Sequence, residues 1–177
     1  MAQDITSRKI VTDGAAKLIE DNAHRLSHSS DNLPHCRAQK SYPQVSRGVS
    51  RGGGQTEPGE LQNNPANTAV TDELLAHEYF GHLSRFANLL FWIFGPLLFA
   101  FYSVQMGMLA THYPGLSWNF AGTVFAVCTF NFGPRAITVP HLDFGNLSWG
   151  WCTITALGKF NPNLGGHLIL WDLKLVI

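Results

Sequence analysis

The chain has 177 residues, enough for one ordinary domain, and its 12 basic residues balance 12 acidic ones. With the charges balanced, no electrostatic footprint for nucleic acid shows in the total. Cys36, Cys128 and Cys152 lie far apart and form no CxxC, which argues against a disulfide scaffold or a structural zinc site. Met1 is followed by polar residues rather than an apolar run, so no secretory signal is expected, and the favoured location is intracellular, nuclear or cytoplasmic.

The charges are unevenly placed. Residues 1–85 hold nine Lys/Arg and ten Asp/Glu, whereas residues 86–177 hold only Arg135, Lys159, Lys174, Asp143 and Asp172. A polar half is thus joined to an apolar, aromatic half. In the second half a charged residue is a minority, and Arg135 and Asp143 carry more information than charges usually do.

Residues 1–70 are expected to be mostly disordered, since Ser, Asn, Gln, Gly and Pro dominate and apolar content is too low to offset ordering entropy. Within them a short helix near 13–26 is suggested by Ala15, Leu18, Ile19 and Leu26 at roughly helical spacing. His24, His28, His35 and Cys36 fit no zinc spacing and read as solvated loop residues.

Thr71-Asp72-Glu73 predicts a helix start, a hydroxyl cap followed by acids in the first turn. The helical pattern continues through Leu75, Phe80, Leu83 and Phe86. His77 and His82 are five residues apart, so they do not share a helix face and do not form a zinc-protease pair. From Phe86 to Met106 the chain is apolar for about the length that spans a bilayer, with Gly95-Pro96 at its middle. Two readings stand: a pair of helices, 71–94 and 97–109, buried against a sheet with Met106, Met108 and the aromatics as core filling, or a membrane anchor over 86–106.

After the His112-Tyr113-Pro114-Gly115 turn the period changes. Strands are expected over 123–130, 136–139, 151–157 and 167–171, with another beginning at Leu175. Several short strands without intervening helices suggest a sandwich or barrel.

His141 and Asp143 follow a β-branched run at positions i and i+2. On an extended segment such side chains point the same way. An imidazole and a carboxylate there supply two thirds of the two-His-one-carboxylate face that holds non-haem Fe(II). The bland reading is a strand-end histidine followed by a turn aspartate.

The ordered string Phe130-Asn131-Phe132-Gly133-Pro134-Arg135, Pro140-His141-Leu142-Asp143, Asn146-Leu147, Trp149-Gly150-Trp151-Cys152 and Gly165-Gly166-His167-Leu168-Ile169-Leu170-Trp171-Asp172 is more specific than that pair alone. It resembles the 2-oxoglutarate/Fe(II)-dependent dioxygenase-like proteins of mushroom-forming fungi, which are related to the TET/JBP base oxygenases. The resemblance covers about residues 71–177. It implies an α+β fold, with N-terminal helices (71–110) packed on a partial double-stranded β-helix, or jelly-roll, sheet (strands within 122–177). It implies that His141 and Asp143 are iron ligands, that Fe(II) and 2-oxoglutarate are cofactors, and that the chemistry is oxidative hydroxylation, with modified nucleic-acid bases as the expected substrate class. Arg135 is a candidate for an anionic group of co-substrate or substrate, and Asn146 for the pocket wall or the ligand loop, against readings as a rim arginine and a turn asparagine.

In the family a Pro-Pro-Gly strand, a distal His and a basic residue that grips 2-oxoglutarate follow, and this chain reaches Ile177 without them. His167 lies only 26 residues after His141 and reads as a strand residue rather than the third ligand. The expectation is a C-terminally truncated or degenerate copy that does not turn over. The alternatives are the membrane anchor and a non-enzymatic remnant that binds a partner through an apolar sheet edge.

Overall fold

A computed structural model of the chain describes residues 2–27, 42–52, 54–133, 136, 147–161, 163–170 and 173–177. The architecture is α+β. Helix α1 (Ala2–Asn22) runs into a 3₁₀ turn (Ala23–Arg25), and strand β1 (Gln44–Ser50) and strand β2 (Gly59–Glu60) follow. Three helices come next, α2 (Pro65–Ala76), α3 (Glu78–Phe94) and α4 (Pro96–His112), and then strands β3 (Val127–Asn131), β4 (Ile169–Leu170) and β5 (Leu175–Val176).

Residues 1–70 were expected to be mostly disordered, yet their described part supplies a helix and the central strand of the sheet. The order is β2-β1-β3, antiparallel throughout. Val45 pairs with Phe130 and Arg47 with Cys128. The side chains of Ser46 and Thr129 hydrogen-bond across the pair at 2.8 Å. A Ser/Arg/Gly-rich heptapeptide has no strong strand signal of its own. Its two valines, Val45 and Val49, are buried only because β3 and the helices cover them. Gly48 sits where β1 passes from β3 to β2, with φ of 121°, and a Cβ there would overlap the Ala126 carbonyl. Glycine is required at that step.

The helix suggested near 13–26 is present and begins earlier, at Ala2. Ala15 and Leu26 are in the core, and Leu18 and Ile19 pack against it. On its outer face Lys9–Asp13 and Lys17–Asp21 pair at i,i+4. Gly14 lies against the Tyr79 ring, and a Cβ would overlap that ring. The smallest residue thus sets how closely α1 approaches α3.

The predicted helix start at Thr71 is wrong by six residues. Asn64 caps α2, its Oδ1 accepting the Asn67 N–H at 2.9 Å, and Pro65 opens the helix. Thr71 lies mid-helix and is fully buried, and its hydroxyl donates back to the Asn67 and Thr68 carbonyls. Asn67, Val70, Thr71 and Leu74 form the inward stripe. The expected continuous helix from 71 to 94 also breaks at His77. That residue caps α3 by accepting the Tyr79 N–H on Nδ1 at 3.2 Å.

The core joins Ala15 and Leu26, Val45 of β1, Val70 and Leu74 of α2, Phe80 of α3, and Phe130 and Phe132 at the end of β3. Phe80 meets Phe130 edge-on with centroids 5.3 Å apart.

The expectation of helices buried against a sheet holds only in part. Gly95-Pro96 does separate two helices, α3 and α4. However, α3 buries only Phe80 and Phe91, and α4 buries no residue. Met108 is 52% exposed and is not core filling. The membrane-anchor reading of 86–106 finds no support: among the described residues no helix is long and apolar enough to cross a membrane.

Among the expected C-terminal strands, the run 151–157 pairs with no described strand, and Trp151 through Ala156 are exposed. Its β-branched and aromatic residues satisfy strand propensity, but a strand exists only through a partner. The strand expected over 167–171 is described as Ile169–Leu170, and it forms a small hairpin with Leu175–Val176.

Candidate functional site

His141, Asp143, Arg135 and Asn146 all lie outside the described residues. The described chain on either side of them comprises two shoulders. On the entering side β3 delivers Phe130 and Phe132 into the core, 4% and 0% exposed. The Phe132 N–H donates to the Pro43 carbonyl at 2.8 Å, extending the β1–β3 ladder to the last core residue.

On the leaving side a turn closes with the Gly150 N–H on the Leu147 carbonyl at 2.9 Å. Tyr102 of α4 then holds the next residue. Its hydroxyl accepts the Trp151 N–H at 3.1 Å and donates to the Trp151 carbonyl at 3.3 Å. Gly150 is needed here, because a Cβ would overlap the Tyr102 hydroxyl. The Trp151 ring stacks on Phe91 with centroids 5.7 Å apart and planes 25° apart. Phe91 also meets Phe99 and Tyr102 edge-on and stacks on Phe125. At 3% exposed it is the centre of an aromatic cluster shared by α3, α4, the approach to β3 and the 147–151 segment.

Asn88 strengthens the same junction. Its Oδ1 accepts the Val124 N–H at 3.0 Å and its Nδ2 donates to the Gly122 carbonyl at 3.4 Å. The amide in the apolar C-terminal half of α3 therefore has a structural partner, the loop that leads into β3.

Among the described residues no group of three or more His, Cys, Asp or Glu could hold a metal ion. His77 is a helix cap, His112 contacts the Met108 carbonyl within its own helix, and His24, His82 and His167 are exposed. The Cys128 thiol is pushed up to about 11 by burial, which keeps it neutral and unreactive.

The sequence reading missed a polar cluster around Arg47. Its guanidinium pairs with Asp72 at 2.5 Å, and its backbone carbonyl accepts from Asn119 Nδ2 at 2.7 Å. Glu60 accepts the Ser117 N–H at 2.9 Å. Hydrogen bonds from Ser117, aided by the Arg47 charge, hold the Glu60 carboxyl below its ordinary pKa. Arg47 Nε is buried without a partner. These contacts tie β1 and β2 to α2 and to the 117–119 loop. A shallow apolar recess of about 140 Å³ lies near that loop, between Met106, Ala110, Trp118 and Phe120. The only warning in sequence was an arginine within a polar stretch that otherwise reads as unstructured.

The described chain is held on the two sides of that segment by the Phe132–Pro43 and Tyr102–Trp151 hydrogen bonds. Comparison with known protein families, characterised proteins and solved structures finds no match to this chain.

Proposed function

We propose that this chain is a fragment or degenerate member of an Fe(II)/2-oxoglutarate-dependent dioxygenase-like family, built on a partial jelly-roll, and that it does not turn over by itself. The observation that carries the reading is the ordered string from Phe130 to Asp172, with His141 and Asp143 two apart after a β-branched run. An α+β chain with helices and small antiparallel sheets is compatible with it.

The donor set fits the metal only in part. His141 offers a neutral nitrogen and Asp143 an anionic oxygen, the right chemistry for Fe(II). A third protein ligand and a basic clamp for the 2-oxoglutarate carboxylate are not identified among the 177 residues. No reaction step is therefore assigned to iron here. Arg135 is proposed to meet an anionic group and Asn146 to support the ligand loop. Modified bases in nucleic acid are the proposed substrate class.

The test is Fe(II)-dependent decarboxylation of 2-oxoglutarate by the purified chain, together with Fe(II) or Co(II) binding by the wild type and by His141→Ala and Asp143→Ala. Weak binding lost in both variants, without turnover, supports the proposal. Robust turnover would refute the incomplete site, and binding indifferent to both substitutions would refute the ligand assignment.

A further inference from the structure

We draw no further inference here: the strongest candidate, the uncharged apolar patch where α3 ends and α4 begins, with Trp92, Phe94 and Leu97 exposed, is an unpartnered surface, and nothing in the structure shows what covers it.

Discussion

The Tyr102 hydroxyl binds both backbone groups of Trp151, accepting its N–H at 3.1 Å and donating to its carbonyl at 3.3 Å. One side chain of α4 thereby replaces, for a single residue, the pair of bonds that a neighbouring strand would make. It fixes the described chain on the C-terminal side of the His141–Asp143 segment. Tyr102→Phe keeps the ring against Phe91 and removes both bonds. A loss of about 1 kcal/mol is expected, because the site is partly open to water. Amide exchange at Trp151 should rise well above that of the β1–β3 ladder. Exchange at Trp151 unchanged from wild type would show that the clamp does not operate in solution.

Phe91 is the ring on which that junction closes. Phe91→Ala should cost about 3–5 kcal/mol, since it empties a site surrounded by four other rings. Phe94, three residues on and 69% exposed, should cost under about 0.5 kcal/mol when changed to Ala. Denaturant midpoints of the two variants check this. Equal losses would mean that the aromatic cluster is not packed as described.

Glu60 makes stability depend on acid. Its carboxyl titrates below the ordinary 4.5 because Ser117 hydrogen-bonds the charged form and Arg47 lies nearby. A carboxyl lowered in the fold contributes stability above its unfolded value. That contribution is lost as the pH falls from about 4.5 through the lower folded value. Glu60→Gln should therefore be less stable than the wild type at pH 7, and the two should converge as the pH falls below 4.5 and through the lowered folded value. Parallel stability curves over this range would rule out the Ser117 contact as their cause.

The cysteines should differ in reactivity. Burial raises the Cys128 thiol to about 11, so at pH 8 only about a thousandth of it is thiolate, whereas Cys152 is exposed. Iodoacetamide mapped by peptide mass spectrometry should modify Cys152 well before Cys128 in the native protein. Unfolding should remove the difference. Early labelling of Cys128 in the native state would contradict its place against the core.

Where local chemistry and tertiary packing agree, the sequence was readable. Ala15, Leu18 and Ile19 marked the second half of α1 because helical spacing is a local property, whereas Leu26 lies beyond its end in extended backbone. Gly95-Pro96 marked the break between α3 and α4 because Pro96 cannot donate a helix hydrogen bond. The start of α2 was misread because a hydroxyl before acids imitates a cap, while the stronger Asn64-Pro65 signal lay in a stretch discounted as polar. Strand β1 was missed for a related reason. Val45 and Val49 lie in a Ser/Arg/Gly context, and their burial depends on β3, more than 75 residues away. The run 151–157 shows the reverse error, strong strand propensity without a described partner.

For the site, the sequence by itself singled out the residues proposed to bind iron. Donor type and the i, i+2 spacing of His141 and Asp143 are local facts, and so is the scarcity of charge around them. Tertiary structure alone decided what flanks that segment: Phe132 buried in the core on one side, and Trp151 clamped by Tyr102 on the other. Tyr102 and Trp151 are 49 residues apart, and their contact depends on how α4 packs rather than on either neighbourhood. The same is true of α4, none of whose apolar residues is buried. Apolar spacing predicts that a face will be covered, but whether the cover comes from the chain's own core or from outside is settled only when the rest of the chain has packed.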